Sequence, residues 1–173
     1  MTCDEASLMS DERKTNRPPA ARKLTMSRYL KRWLNRWSPF QGSGIRVRRI
    51  SPDFLEVDIE MAHCRWNTNR NETHFGGSLF AMTDGMYMMI LMENLGPDYV
   101  VWDQSASIRF RRPARSAVRA EFRLSEEQID AVRRAADTQP KVEPTWTIDI
   151  TDCSGEVVAV VERTMSVKRR QEG

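Results

Sequence analysis

Residues 73–92 read THFGGSLFAMTDGMYMMILM, and this stretch decides the fold. Two adjacent glycines, Gly76 and Gly77, open an apolar run that holds five of the chain's ten methionines. Gly96 and Pro97 follow it, so the stretch has the length and the end signals of a helix. It is too short for a membrane span and it carries an acid. Because no clear polar stripe interrupts its second half, we expect a helix that is buried on most sides.

The acid in this stretch is Asp84. Aspartate is a poor residue for a helix interior, and its charge is costly to desolvate. Two interpretations are open: Asp84 faces solvent through a gap in the packing, or it points into a cleft as a nucleophile or general base. Gly76 and Gly77 likewise form either a tight turn or a helix start whose exposed N–H groups suit a phosphate or an oxyanion.

The composition is typical of one soluble globular domain. The chain has 173 residues, of which 29% are charged and 40% are apolar, and this length can bury a sizeable core. The three cysteines, Cys3, Cys64 and Cys153, are scattered and form no CxxC pair. This spacing argues against a disulfide framework and a structural zinc site, so we expect no metal. The N-terminus lacks the layout of a secretory signal, and we expect a cytoplasmic protein.

Charge and composition also divide the chain. We expect a disordered polar tail over residues 1–22, a single domain over 23–168 and a basic C-terminal tail over 169–173. The net charge of +3 is unevenly spread, because residues 11–50 hold twelve Lys or Arg and only two acids. Such a region meets an anionic ligand, nucleic acid or lipid headgroups, or is simply solvated.

Residues 24–37 predict an amphipathic basic helix. Leucine and aromatic residues recur there at helical spacing, with Arg and Lys mostly between them. We expect the helix to pack its tryptophan face, Trp33 and Trp37, on the core. A helix that lies on a membrane surface is the alternative interpretation.

Most of the remaining chain alternates as antiparallel strands do. Ser125 and Gln128 form a capping box, which predicts a short helix between two of the strands. The last strand is apolar on both faces, which indicates a central or interface position. The predicted strands cover residues 44–50, 54–61, 99–102, 105–112, 117–124, 142–151 and 156–167.

This order of elements predicts the fold. A helix that is apolar nearly all round needs cover on every side, and a curved antiparallel sheet supplies that cover. We therefore predict an α+β protein with a hotdog fold: a curved antiparallel sheet of about six strands wrapped round a long central helix. The N-terminal amphipathic helix is an addition to this plan.

The central stretch also resembles a known motif. Asn69, the HFGG sequence of residues 74–77 and Asp84 resemble, in spacing, the Asn, His-Gly-Gly and Asp of the phenylacetate-degradation-type hotdog thioesterases. The following SASIRFRRPA segment, residues 105–114, is similar to the next strand of that family. The span 24–167 more closely resembles a little-characterised branch grouped with tetrameric acyl-CoA thioesterases. Phe75 stands where the wider family has the His before the glycines, and His74 lies one place earlier.

The resemblance implies an acyl-CoA thioesterase whose site lies between two subunits. Asp84 of the facing subunit would attack the thioester or activate water, and the Gly76 or Gly77 N–H would stabilise the oxyanion. An asparagine would orient the water or the thioester. Asn69 is the first choice for that role, and Asn67 and Asn71 are the alternatives. A homodimer or homotetramer follows, with no metal or redox cofactor and with coenzyme A only as part of the substrate.

The substrate contacts implied in this scheme are His74, Phe75 and three arginines. Coenzyme A carries phosphates, and Arg suits bidentate phosphate contacts. Each of these arginines can equally lie on a solvated sheet face. The three arginines are Arg109, Arg111 and Arg112.

Other functions are open on the residues alone. The Met-rich helix and Phe75 also fit a non-catalytic protein that binds acyl-CoA or a fatty acid. A hotdog dehydratase would need a catalytic His, and the candidates are His63 and His74. A nucleic-acid or membrane-surface function through the basic helix ranks last. We expect a small-molecule acyl-CoA and further copies of the chain as partners, with no nucleic acid and no integral membrane association.

Overall fold

The computed structural model describes residues 20–170, with side chains from Arg22 onward. The predicted tails lie mostly outside this range, but the first helix begins at Ala20, inside the predicted N-terminal tail. The helices are α1 (Ala20–Leu34), α2 (Ser38–Ser43), α3 (Gly76–Ala81), α4 (Met86–Leu95) and α5 (Glu126–Thr138). The strands are β1 (Ile45–Ile50), β2 (Glu56–Met61), β3 (Tyr99–Phe110), β4 (Val118–Arg123), β5 (Thr145–Asp152) and β6 (Val157–Arg169).

The six strands form one antiparallel sheet in the order β1-β2-β4-β5-β6-β3. The pairing register shifts at three places, in β1, β3 and β5. Such irregularities bend and twist a sheet, which lets it wrap round a helix. The two segments predicted at 99–102 and 105–112 are one strand, β3, whose register shift falls between Asp103 and Ser105. The predicted hotdog architecture is confirmed.

Helix α4 lies on the inner face of this sheet. Its Ile90 and Leu91 side chains are fully buried, and the ring of Tyr87 contacts the rings of Phe122 and Trp146 at centroid distances of 5.2 and 5.1 Å. These contacts join the helix to β4 and β5. The absence of a polar stripe in the sequence is thereby explained, because neighbouring side chains cover most of the helix.

The central helical segment is divided into two parts. A turn at residues 82–85 separates α3 from α4, and Gly85 adopts a left-handed conformation with φ of 74°. Glycine reaches this conformation without the steric cost that a side chain brings. Asp84 therefore lies in a turn rather than inside a continuous helix, which relieves the poor fit of an aspartate to a helix interior.

The capping box is present as predicted. The Ser125 hydroxyl accepts from the Gln128 N–H at 3.3 Å, and the Gln128 side chain accepts from the Ser125 N–H at 2.8 Å. These two bonds satisfy donors that a helix start leaves unpaired. Strand β6 pairs with β5 on one side and β3 on the other, so the prediction of a central strand is also confirmed.

The prediction for the first helix is wrong in one respect. Helix α1 packs beside β1 through Ser27 and Leu34, while Trp33 and Trp37 remain 49% and 38% exposed. The two indole rings stack on each other with centroids 6.0 Å apart. Helical spacing alone permits two apolar stripes on this helix, and the smaller residues face the core. No helix within residues 20–170 is long and apolar enough to cross a membrane.

Candidate functional site

The acid of the central segment is held by a buried arginine. Asp84 Oδ1 accepts a hydrogen bond from Arg163 Nη1 at 2.8 Å. The Arg163 side chain is only 2% exposed, whereas that of Asp84 is 55% exposed. Within residues 20–170, the second carboxylate oxygen, Oδ2, has no protein donor. The ion pair fixes one oxygen of Asp84 and leaves the other free for a ligand or water.

The Arg163 guanidinium is surrounded by acceptors. It also donates to Asp103 Oδ1 at 3.4 Å, to Thr83 Oγ1 at 3.2 Å and to the Phe80 carbonyl at 3.3 Å. Its central carbon lies 5.0 Å from the centre of the Phe80 ring, in cation–π contact. A buried guanidinium needs such partners, since an unpaired charge in the interior is very costly. Arg163 thus couples β6 to the turn that carries Asp84.

A second carboxylate, Asp103 of β3, completes this cluster. Burial raises the pKa of Asp103, the Arg163 charge acts in the opposite direction, and the nearby Asp84 charge raises the pKa further. The backbone N–H of the nearby Gly85 acts in the same direction as Arg163 and lowers the pKa of Asp103. The two acids therefore share one guanidinium, and the charge of Asp84 opposes ionisation of Asp103.

The double glycine begins α3, with Phe75 as its N-cap residue in an extended conformation. The Gly76 and Gly77 N–H groups therefore have no acceptor inside the helix, and none is found elsewhere in residues 20–170. A β-carbon on Gly76 would lie 2.8 Å from Cζ of Phe110, so the aromatic ring of β3 approaches this helix start closely. The predicted donor groups are present and are flanked by the Phe75 and Phe110 rings.

The three candidate asparagines have different environments. Asn67 is buried, donates to the Ser43 and Ala62 carbonyls, and accepts from the Cys64 N–H, so it organises the loop and faces no cavity. Asn69 is exposed, but its side chain is bonded to the backbone of residues 71 and 73 and to the Thr73 hydroxyl. Asn69 and Asn71 both line the cavity beside Gly76, so the choice of site asparagine narrows to these two.

This cavity has a volume of about 710 Å³ and lies where the loop between β2 and α3 meets α3 itself and the end of β3. Arg111 and Arg112 line it, together with Arg115. Arg109 does not line it but lies in a neighbouring depression with Ser107 and Glu162, which Arg111 also lines. Arg112 is already paired, with Asp152 at 2.9 Å and Glu156 at 3.0 Å. Arg111 and Arg115 have no ion-pair partner within residues 20–170. The cations available to an anionic ligand here are therefore Arg111 and Arg115.

His74 is buried at the floor of the same cavity. Its Nε2 lies 2.9 Å from the Ser116 carbonyl, which requires Nε2 to be the protonated donor. Nδ1 is buried and has no partner among the described residues. Burial lowers the pKa of His74, the bond to Ser116 opposes this, and the neighbouring His63 lowers it further. His74 therefore favours its neutral form and acts as a loop anchor, whether or not it also contacts substrate.

This burial predicts an acid-sensitive stability. The unfolded chain binds a proton at His74 as the pH falls below 6.5, its ordinary pKa, but the folded chain resists that proton. The stabilising difference is present above pH 6.5 and is lost as the pH falls toward the lower folded pKa. The urea midpoint should fall more between pH 7.5 and 5.5 in the wild type than in His74→Gln. His63→Gln should keep most of the wild-type fall, because burial is the largest cause of the shift in the pKa of His74 and His63 is the smallest. Equal falls in the wild type and His74→Gln would contradict this role.

The acid and the helix start lie apart in one protomer. The acidic cluster (Asp84, Asp103 and Arg163) meets β3 at Asp103, while the Gly76 cavity meets β3 at Phe110. Seven residues of strand separate these points, or about 23 Å. The predicted site residues thus form two half-sites, one near the middle of β3 and one at its C-terminal end, and one chain does not bring Asp84 into the cavity beside Gly76.

Comparisons with known proteins agree with this architecture. The sequence profile of DUF4442, a domain of unknown function, matches residues 26–167. The chain belongs to the DUF4442 family. A search of curated proteins found no match.

Solved structures place this DUF4442 domain among hotdog proteins. PA5026 of Pseudomonas aeruginosa, a protein of unknown function described as a probable thioesterase, is 24% identical with a TM-score of 0.74; the match covers 85% of this chain and 96% of that one. The Escherichia coli PaaI protein of the phenylacetic acid degradation operon is 15% identical, with a TM-score of 0.60 and coverage of 90% and 98%. Mouse thioesterase superfamily member 2 is 18% identical, with a TM-score of 0.58 and coverage of 82% and 96%. At these identities the matches confirm the fold.

Arg163 and Asp103 are the parts of this site that sequence reasoning missed. The available signal was a lone arginine in the middle of the most apolar strand, because a buried arginine must have an acidic or carbonyl partner nearby. The partner itself lies 79 residues away in sequence at Asp84, and a linear pattern does not disclose such a pairing.

Removal of the guanidinium should destabilise the DUF4442 domain. In Arg163→Met the methionine keeps much of the buried volume, but Asp84 and Asp103 lose their shared cation. We expect the free energy of unfolding to fall by about 2 kcal/mol at pH 7, a reduced penalty because Asp84 remains partly hydrated. Without the cation the pKa of Asp103 rises, so the loss should shrink as the pH is lowered toward 4.5.

Urea unfolding at the two pH values measures this effect. Arg133→Met is the matched control, since Arg133 donates to the Asn94 and Leu95 carbonyls and, among the described residues, pairs with one carboxylate rather than two, that of Asp130 at 3.7 Å. Its loss of stability should not shrink at low pH. If Arg163→Met lowered the free energy of unfolding equally at both pH values, that result would contradict the description of Asp84 and Asp103 as two acids that share one arginine.

Proposed function

We propose that this DUF4442 protein hydrolyses acyl-CoA thioesters at a site shared by two copies of the chain. The observation that carries the proposal is the placement of its two half-sites. A carboxylate with a free oxygen lies beside Asp103 of β3, and a helix start with unpaired N–H groups lies beside Phe110, the last residue of that strand. A two-fold axis midway between these two positions of the strand would bring the half-sites together twice.

The exposed edge of β3 supports such a pairing. β3 lies at the end of the sheet and pairs only with β6 among the described strands. It is twelve residues long, and its Trp102 and Phe110 side chains are exposed. A long, apolar and unprotected edge strand readily adds another strand. A second copy of the same strand is the simplest partner, because closed two-fold dimers are the commonest assembly.

The register of this pairing can be specified. An antiparallel pairing of two β3 strands about the Ala106–Ser107 peptide would set Asp103 of one copy opposite Phe110 of the other. Asp84 adjoins Asp103, and Gly76 adjoins Phe110. Asp84 of one copy would then face the Gly76 helix start of the other across a cleft. A tetramer would add further contacts without changing these two sites.

The proposed reaction uses these groups directly. The Gly76 or Gly77 N–H donates to the thioester carbonyl oxygen and stabilises the negative charge that grows on it. Asp84 Oδ2 accepts a proton from water, whose oxygen bonds to the carbonyl carbon. The tetrahedral intermediate then collapses, the carbon–sulfur bond breaks, and the thiolate of coenzyme A takes up a proton to give the free acid and the thiol. Arg163 holds Asp84 in position, and Asn69 or Asn71 orients the water or thioester.

Hydrolysis by a base and backbone donors needs no metal or redox cofactor, and none is part of the proposal. Direct attack by Asp84, with a mixed anhydride that water then cleaves, would use the same contacts.

Turnover of the full-length chain tests this function. Release of the coenzyme A thiol should be detectable with a thiol reagent for at least one member of a series of acyl-CoA esters from acetyl to palmitoyl, with saturation in substrate. Background rates across the whole series, together with measurable binding of acyl-CoA, would instead support the alternative function.

That alternative is a non-catalytic acyl-CoA or fatty-acid binding protein. Phe75 stands where the phenylacetate-degradation-type thioesterases have a His, and the charge of Asp84 is partly neutralised by Arg163. Both features suit a protein that holds a ligand without cleaving it.

Arg111 is the side chain that we assign to a coenzyme A phosphate. It lines the cavity beside Gly76 and has no ion-pair partner in residues 20–170. Arg111→Ala should raise KM for acyl-CoA about tenfold, since a charge-assisted hydrogen bond contributes about 1.5–3 kcal/mol. KM for the matching acyl N-acetylcysteamine thioester, which lacks the nucleotide, should not change.

Arg109→Ala is the matched control, because Arg109 does not line the cavity beside Gly76. Its KM values should stay at the wild-type level for both substrates. An effect of Arg109→Ala as large as that of Arg111→Ala would contradict the assignment.

A further inference from the structure

Helix α1 carries an exposed apolar stripe that the proposed thioesterase site does not use. The stripe consists of four residues spaced three or four apart, three on the helix and one in the turn that follows it, and none of them is buried as Ser27 and Leu34 are. None of the four lines the cavity beside Gly76. They are Met26, Tyr29, Trp33 and Trp37, which are 41%, 61%, 49% and 38% exposed.

The charge around this stripe has one sign. Helix α1 contains five Lys or Arg and no acid, and Arg36 follows directly after it. Arg28, Arg32 and Arg36 are exposed and have no ion-pair partner within residues 20–170. The face therefore presents aromatic rings beside a row of cations that remain available to an external anion.

The location of α1 separates it from the proposed dimer contact. α1 packs beside β1, which lies at one edge of the sheet, while β3 lies at the other edge. Pairing of β3 with a second copy would leave the α1 stripe uncovered. Self-association through α1 is also disfavoured, because a two-fold contact would oppose two faces that are both strongly basic.

We propose that α1 is a peripheral docking face for an anionic lipid surface. The aromatic rings and Met26 would lie at the level of the headgroups and upper acyl chains, where amphipathic aromatic side chains are stable. The arginine row would bind lipid phosphates, with each Arg contributing to the attraction near a negatively charged leaflet. The helix lies on the surface and does not cross it. This inference is independent of the proposed hydrolysis.

Vesicle sedimentation with the full-length protein tests the proposal. The protein should sediment with 100-nm vesicles of phosphatidylcholine containing one-third phosphatidylglycerol, and not with phosphatidylcholine alone. Binding should weaken steeply in 0.5 M NaCl because salt screens the charge attraction. Trp33→Ala should weaken binding about tenfold, since the indole ring is the largest apolar group of the stripe. Arg36→Glu should weaken it at least about fivefold.

Two variants elsewhere on the surface are matched controls. Trp66→Ala removes a tryptophan that is even more exposed than Trp33, and Arg134→Glu makes the same change of net charge on α5. Both should sediment as the wild type does. None of the four changes is in the hydrophobic core, and a urea midpoint within experimental error of the wild type verifies each fold.

Several results would overturn the proposal. Equal binding to neutral vesicles, or no binding to either kind, contradicts a lipid surface. Binding that Arg36→Glu and Arg134→Glu weaken equally indicates a general charge effect. Loss of self-association in Trp33→Ala, measured by light scattering without vesicle binding, would assign the stripe to another copy of the chain. Salt-sensitive binding of a DNA duplex, lost in Arg36→Glu but not in Trp33→Ala, would assign it to nucleic acid.

Discussion

Asp84→Asn should lower kcat/KM for acyl-CoA hydrolysis by at least about a thousandfold, in the range expected when a general base is removed. The side-chain amide that replaces the carboxylate can still accept a hydrogen bond from Arg163, so the turn between α3 and α4 should persist. This amide cannot accept a proton from water near neutral pH, however, and it has no negative charge with which to attack the thioester. The expected loss therefore lies in kcat, with KM close to the wild-type value.

Steady-state kinetics with the best acyl-CoA, alongside urea unfolding, measures this prediction. Asp137→Asn is the matched control, because Asp137 is also an exposed acid paired with an arginine, Arg169, but lies away from both half-sites. It should keep wild-type kcat. Asp84→Asn with near-wild-type kcat would remove Asp84 from the chemistry.

Gly76→Pro should reduce kcat by about two to three orders of magnitude, the usual effect of losing one oxyanion donor. Proline has no backbone N–H, yet it suits this position. Gly76 is the first residue of α3, where proline is readily accepted. The preceding Phe75 has φ of −62° and ψ of 126°, which lies in the extended region that a residue before proline prefers. The substitution thus deletes a donor with little change in the backbone.

Gly76→Ala separates the lost donor from the added side chain. A β-carbon at this position meets the Phe110 ring at 2.8 Å, so both variants push that exposed ring aside. Only the proline variant also loses the N–H. We expect Gly76→Ala to retain at least ten times the kcat of Gly76→Pro. Equal activity in the two variants would mean that the Gly76 N–H does not contact the reacting oxygen.

Much of the fold could be predicted from sequence because its signals are local. The double glycine, the apolar run after it and the alternating strands specify a helix inside a sheet, and Ser125 and Gln128 specify the cap of α5. The break at Gly85 was harder to predict. A single glycine in an apolar run is compatible with a continuous helix or with a turn, and the choice depends on the Asp103 and Arg163 contacts made by the neighbouring residues.

The candidate site was predictable in part for the same reason. Gly76, Gly77 and Asp84 belong to one contiguous motif, so sequence identified them. Their separation along β3 depends on tertiary structure, as does the burial of Asn67. Arg109 and Arg111 are two residues apart in one predicted strand, so the sequence pattern places both on the same face and does not distinguish them. Of the two, only Arg111 lines the cavity beside Gly76. The outward stripe of α1 was mistaken for its core face, because helical periodicity does not show which of two apolar stripes a sheet will cover.

The central claim is that each active site combines Asp84 of one subunit with the Gly76 helix start of its partner. The most direct test is a heterodimer of one Asp84→Asn chain and one Gly76→Pro chain, isolated by two different affinity tags. One of its two sites would carry both defects, and the other would be intact. We therefore predict about half of the wild-type kcat from two nearly inactive parents. A heterodimer as inactive as its parents would contradict the shared site.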